Sequence, residues 1–280
     1  MKRNIVMQSD FGIDNYLVSS MHGICKRVSQ DLEIFDITHI IPPFDIKKAS
    51  KILSSIIPCW PEGTVFVSVV DPGVGTSRKA SVALLKNGYY VVSPDNGAFT
   101  DLDNMYGIEE IREIDEETNR YKNIEEVNIF HGRDLFSYCA AKLAANEITF
   151  EEVGPKYDLS EIVKFESYPY SITQNKVEGI AVGSKEYNFG IMDTNIPNKE
   201  FVKSNIKFGD DVKISFIYDE KSECEIKTKF VRTFGEVPIG QPLVYNEVAL
   251  FIGIAINQGN FAQTNHLVDD RIYNLVIEKI

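Results

Sequence analysis

The stretch Thr64-Val65-Phe66-Val67-Ser68-Val69-Val70 runs directly into Asp71-Pro72-Gly73-Val74-Gly75-Thr76-Ser77-Arg78. The first seven residues are β-branched or apolar apart from one serine. A run of this kind, closed by a Pro-Gly turn signal, describes a strand buried on both faces. Such a strand belongs inside a sheet covered by helices on both sides. In an open α/β sheet, ligands sit beyond the carboxyl ends of these strands. The neighbouring segments agree. Ile5 to Gln8 reads as a short apolar strand ending at Ser9-Asp10-Phe11-Gly12. From about Asn15 to Val28, the residues Leu17, Met21, Ile24, Cys25 and Val28 recur at helical spacing. Leu32 to Ile37 reads as a strand, and Ile46 to Ile57 as a helix stopped by Pro58. Ala80 to Leu85 and Tyr89 to Val92 read as strands, and the residues from Gly132 to about Ala145 as a helix. The alternation predicts an α/β fold with a mainly parallel sheet.

The pattern changes near Tyr168. Short strands are expected at Lys176 to Val182, Asp211 to Tyr218, Glu225 to Val231, Leu250 to Ile256 and Tyr273 to Ile277, and no long helical period follows. That pattern predicts a small β-barrel or sandwich. The Tyr168-Pro169-Tyr170 segment is the expected boundary, dividing the chain into domains 1–167 and 168–280.

The formal net charge of −12 sets nucleic acid and anionic membranes aside as partners and favours a cationic ligand. The 44% hydrophobic content of the 280 residues is enough for one large core or two modest ones. Four scattered cysteines form no C-x-x-C pair, so neither a zinc site nor a disulfide framework is signalled, and reduced thiols in a cytoplasmic protein are expected. The opening residues carry no apolar signal-peptide region, and no apolar run reaches the roughly 18 residues of a membrane span.

Three polar clusters fall at expected strand ends. Asp10 follows the first strand, Asp71 follows the TVFVSVV run, and His131 follows Val127 to Phe130. A strand-end carboxylate at Asp10 suits the two hydroxyls of a ribose, and equally suits a helix cap. The DPGVGTSRK stretch invites a phosphate-loop reading but does not match G-x-x-x-x-G-K-[ST], and it puts a carboxylate where a phosphate would sit. His131 stands beside a glycine, where backbone can approach a ligand. His22, His39 and His266 read as structural or surface residues. No cluster of metal ligands stands out, and no metal is expected.

In chain order the motifs are SDFG at 9–12, DITH at 36–39, PEGTVF at 61–66, DPGVG at 71–75 with Arg78, SPDNG at 93–97, HGRDLF at 131–136 and INQGNFA at 256–262. Together they resemble the S-adenosylmethionine hydroxide adenosyltransferase family, which is related to the fluorinases and chlorinases. The resemblance implies a Rossmann-like N-terminal domain and a smaller β-barrel-like C-terminal domain. It implies a homotrimer with active sites between the N-terminal domain of one subunit and the C-terminal domain of the next, with S-adenosyl-L-methionine as substrate and no cofactor. Asp71, Arg78 and His131 would position and activate a water molecule. Asp10 would bind the ribose hydroxyls, Phe44 would form an aromatic wall beside the ribose, and Phe130 and Gly132 would flank the reacting carbon.

The expected reaction is in-line attack of water on C5′, giving adenosine and L-methionine. The sulfonium leaves as a neutral thioether, so no general acid is needed. A halogenase would use halide instead, but the resembling halogenases lack the Asp–Arg–His set, and a carboxylate at Asp71 would repel a halide. In the C-terminal half the family pattern D-x-x-F-G-N appears here as Glu186-Tyr187-Asn188-Phe189-Gly190-Ile191. Glu186 would hold the methionine ammonium. Ile191 stands where relatives carry an adenine-binding amide, a contact Asn188 would take over. The usual N-S-x-G segment reads Asn246-Glu247-Val248-Ala249. These departures motivate an alternative, a protein that binds or senses adenosine or S-adenosylmethionine without turnover.

Overall fold

The computed structural model describes residues 3–122, 128–183, 189–268 and 271–280. The chain divides into two compact units, residues 1–165 and 166–280.

In chain order, the first unit holds β1 (Ile5–Ser9), α1 (Leu17–Val28), β2 (Ile34–Thr38), α2 (Ile46–Ile56), β3 (Val65–Val69), β4 (Ala80–Leu85), β5 (Tyr90–Pro94), α3 (Thr100–Tyr106), β6 (Ile108–Glu113), α4 (Glu116–Asn119) and α5 (Tyr138–Ala145). The sheet order is β2-β1-β3-β5-β4-β6. Strands β2, β1, β3 and β5 are parallel, while β4 runs antiparallel to both β5 and β6. All five residues of β3 are buried, as are those of β1. Successive side chains point to opposite faces. Ile5, Met7, Val65, Val67 and Val69 pack with Met21, Cys25, Leu135 and Phe136. Val6 and Phe66 pack on the other face with Leu53, Phe99 and Leu102. The sheet is therefore the middle of three layers, and its continuous apolar strands are explained by helices on both sides.

From β1 the chain moves outward to β2 and then returns across β1 to β3. The strand order thus reverses between β1 and β3, the place where open α/β sheets bind ligands. Asp10 and Asp71 follow these two strands. The expectation that His131 also ends a strand is corrected: residues 128–130 form none, and Val127 lies outside the described residues. Ile129 is 79% exposed, so this segment lacks the covered face a strand requires. His131 instead precedes a π-helical turn, Gly132–Ser137, that leads into α5.

The second unit contains β7 (Ser171–Ile172), β8 (Lys176–Gly183), β9 (Met192–Pro197), β10 (Asp211–Tyr218), β11 (Lys221–Val231), β12 (Pro242–Asn246), β13 (Phe251–Ile256) and β14 (Tyr273–Lys279). Strands β14-β10-β11-β12-β13-β9-β8 follow one another, and β14 pairs back onto β8 from Tyr273↔Ala181 to Glu278↔Lys176. The seven strands close into a barrel, and β7 attaches to β8. Its core includes Val177, Met192, Phe201, Ile214, Phe216, Ile254 and Ile277. The fold is therefore mixed α/β with a C-terminal β-barrel. All four cysteines are free, and burial pushes the Cys25 and Cys139 thiols up to about 12, which keeps them protonated and inert.

Candidate active site

The turn after β3 folds back so that Arg78 reaches Asp71. Arg78 Nε donates to Asp71 Oδ1 at 2.9 Å and to Oδ2 at 3.1 Å, and Arg78 Nη2 donates to Oδ2 as well. Gly73 permits this approach, since a methyl group there would lie 3.2 Å from Arg78 Cγ. The same Nη2 lies 2.8 Å from His131 Nδ1. A guanidinium has only N–H donors, so Nδ1 presents its lone pair and the ring proton sits on Nε2. Arg78 therefore stands between Asp71 and His131 and orients both. The Asp71 and Arg78 side chains are only 6% and 9% exposed, which limits solvent competition for these bonds. Burial, reinforced by the Arg78 charge, lowers the His131 pKa below the ordinary histidine value. The imidazole is neutral at pH 7.

Two features support this group. The Phe136 ring lies 5.2 Å from the Arg78 guanidinium carbon and forms an aromatic floor beneath it. Phe136 is fully buried and is fixed by the turn that follows His131. Asn96 Nδ2 donates to Val70 O at 2.9 Å, tying the end of β5 to the residue before Asp71. Neither role is visible in spacing alone, although both residues fall inside quoted motifs.

Asp10 Oδ2 accepts the Phe44 backbone N–H at 2.9 Å. Phe44 has φ of 68°, a left-handed conformation that a bulky residue seldom adopts, and it is 69% exposed. It lines a cavity of about 450 Å³ with Pro43, Asp45, Ile46, Lys47, Asn96 and Phe165. The strained residue is held from both sides, because Asp45 caps α2 by accepting from Lys48 N and Asp10 grips the N–H. Of the two readings open for Asp10, no helix cap is formed among the described residues; the carboxylate instead holds the Phe44 backbone.

Phe130 and Phe11 meet edge to face with centroids 5.6 Å apart. Gly132 lies under both rings: a methyl group there would come 2.9 Å from Phe11 Cε2 and 3.1 Å from Phe130 Cε2. Glycine is required by close packing, not by backbone conformation. Beside it Arg133 pairs with buried Asp134 through two hydrogen bonds of 2.6 and 3.0 Å and covers the Phe130 ring. Phe11 and the Arg133–Asp134 pair pack around Phe130 and Gly132, and the sequence did not single them out.

Glu186 and Asn188, expected on the substrate, lie outside the described residues. Ile191 is 7% exposed and packs with Val231, Leu243, Tyr245 and Ala255. An amide at this position would be buried among apolar groups. Asn195 is occupied by the fold: Oδ1 accepts from Ile180 N, and Nδ2 donates to Tyr168 O and Pro169 O.

Comparison with known proteins matches two family models, the SAM hydroxide adenosyltransferase N-terminal domain over residues 5–154 and its C-terminal domain over residues 188–270. A protein of Methanocaldococcus jannaschii named (R)-S-adenosyl-L-methionine hydrolase is 36% identical over 236 residues, covering 83% of this chain and 80% of that protein. A crystal structure of an uncharacterized conserved protein from Thermotoga maritima superposes with a TM-score of 0.83 and 36% identity, over 98% of this chain and all of the other. A more distant relative, a fluorinase of Nocardia brasiliensis, is 26% identical over 94% of this chain and 93% of its own length.

Proposed function

From the premise that this chain belongs to the SAM hydroxide adenosyltransferase family, we infer that it is a hydrolase of S-adenosyl-L-methionine, forming adenosine and L-methionine. The observation that carries the assignment of residues is the single guanidinium of Arg78 bonded to both Asp71 and His131.

The chemistry asks little beyond placement of the nucleophile. The sulfonium departs as a neutral thioether, so the new C5′–O bond forms as the C5′–S bond breaks and its electron pair stays on sulfur. We assign the water to the Asp71–Arg78–His131 group. The Arg78 charge stabilises an oxygen that becomes hydroxide-like. Neutral His131 offers its Nε2–H to hold that oxygen in line with C5′, and orientation of this kind supplies a large part of a rate enhancement. Asp71 is the proton acceptor, because its carboxylate is the basic group beside Arg78. The same carboxylate repels chloride and fluoride, which places water above halide. Asp10 and Phe44 form the ribose subsite in this reading, and Phe11, Phe130 and Gly132 form the wall near C5′.

The first unit is read as Rossmann-like and the protein as a homotrimer, which the family resemblance supports, and as cytoplasmic, which its free cysteines support; light scattering would test the assembly. The decisive experiment is chromatographic analysis of products from each sulfonium epimer in halide-free buffer. Adenosine and methionine are expected in equal amounts, with the (R) epimer included because the relative's name specifies it. Binding without product, or equal turnover by Asp71→Asn and His131→Ala, would overturn the reading.

A further inference from the structure

Three side chains of metal-binding type that the reaction does not use meet on the first unit. His22 projects from α1, Asp36 lies in β2, and His39 follows that strand. Spacing alone does not bring these three residues together; the fold does. Asp36 Oδ1 is 2.8 Å from His22 Nε2 and 3.0 Å from His39 Nε2, and the three ligand atoms lie within 4.8 Å of one another. We propose that His22 Nε2, the Asp36 carboxylate and His39 Nε2 together bind one divalent transition-metal ion of the zinc class.

The donor chemistry selects this class. Two imidazoles and one carboxylate suit zinc and its borderline neighbours, whereas magnesium and calcium prefer all-oxygen shells. Tetrahedral zinc with bonds of about 2.0–2.1 Å sets its ligands about 3.3 Å apart. The two hydrogen-bonded separations therefore need to open by a few tenths of an ångström, and the two imidazole nitrogens, within 4.8 Å of each other, to settle at the same spacing. His22 and Asp36, with side chains 32% and 38% exposed, have that freedom, while His39 at 3% is the fixed point. A ligating histidine needs an outer partner that fixes its ring, and His39 has one: its Nδ1 is 2.6 Å from Ser9 Oγ. Without an ion, Nε2–H donates to Asp36 and Nδ1 accepts from Ser9 Oγ; binding shifts the ring proton to Nδ1, which then donates to Ser9, and frees the Nε2 lone pair for the ion. Three protein ligands leave a fourth position for water on the exposed side.

The ion would clamp α1 to β2. It would also tighten the segment that carries Asp10, because Gly12 N donates to His39 O at 2.7 Å and Ser9 directly precedes Asp10. This consequence rests on the ribose assignment above, but metal binding itself does not.

The test uses the full chain stripped with chelator. Calorimetric titration with zinc chloride should give one ion per chain, cobalt(II) should develop the visible bands of tetrahedral coordination, and zinc should raise Tm. His22→Ala and Asp36→Asn should each weaken binding at least about tenfold, and Ser9→Ala about 10- to 100-fold. His22→Ala is a surface change outside the reaction site, so retained hydrolysis by this variant certifies its fold. Failure of zinc to bind the wild-type chain, unchanged affinity in both ligand variants, or magnesium binding as tightly as zinc would each overturn the proposal. Zinc binding by a chain that shows no hydrolysis would uphold the metal site and reject only the enzymatic reading.

Discussion

Arg78 carries three contacts at once: the Asp71 carboxylate, the His131 imidazole and the face of Phe136. Lysine cannot reproduce this, because an ammonium is a point donor without the planar fork. Arg78→Lys is expected to lower kcat by about 10²-fold or more while KM changes little, as steady-state kinetics would show. The His131 tautomer sets a pH dependence. Burial, reinforced by the Arg78 charge, holds the folded pKa below the ordinary value of about 6.5, and protonation at Nδ1 would also turn two donors toward each other. The proposed mechanism uses the neutral ring, and a pH–rate profile should therefore be flat through pH 7 and fall only on the acid side, below about 6.5. Stability follows the same sign: the unfolded chain binds this proton more readily, so the contribution is full above about pH 6.5 and declines as pH falls toward the lowered folded value. At this scale the sequence was informative where partners are close in the chain. Asp71 and Arg78 sit seven residues apart in one turn. His131 could be placed only by motif, and the Phe11 wall depends on packing between segments more than a hundred residues apart, which no local pattern encodes.

The short turns position the chemistry. A methyl group introduced by Gly132→Ala would collide with the Phe11–Phe130 pair. The expected cost is about 1–3 kcal/mol in denaturant unfolding, with a raised KM for the substrate. Phe44 presents the opposite case. Its left-handed φ is a local cost that glycine removes, so Phe44→Gly should leave Tm equal or higher while KM rises through loss of the aromatic wall. Apolar strands such as β3 and β4 were readable because burial on both faces writes itself as a continuous run. Strand β6 was not, since Ile108 to Glu113 includes three glutamates and only Ile108 and Ile111 are buried. Strand β9 also escaped notice: Asp193, Thr194 and Asn195 are polar, and Thr194 Oγ1 and Asn195 Oδ1 are satisfied by backbone partners brought in by the fold. The π-helical turn after His131 has no periodicity to announce it, being a single turn between loop and helix.

On the scale of the whole molecule, charge acts before contact. The substrate has one net positive charge, from sulfonium and ammonium against one carboxylate, and the protein has a formal net charge of −12. Long-range attraction should speed encounter, so kcat/KM is expected to fall several-fold as potassium acetate is raised from low to high concentration, with kcat unchanged. The two units also solve the problem of sheet edges differently. Barrel closure through β8 and β14 joins the first and last long strands of the second unit. The first unit ends its sheet at β2, whose sequence Ile34-Phe35-Asp36-Ile37-Thr38 is apolar or β-branched except at its centre. Asp36 is thus a gatekeeper as well as a candidate ligand. A charge midway along an edge strand discourages another chain from adding itself by backbone pairing. Replacing it with valine would create an uninterrupted adhesive ribbon, and the expected result is a chain recovered in inclusion bodies, whereas Asp36→Asn should stay in the supernatant.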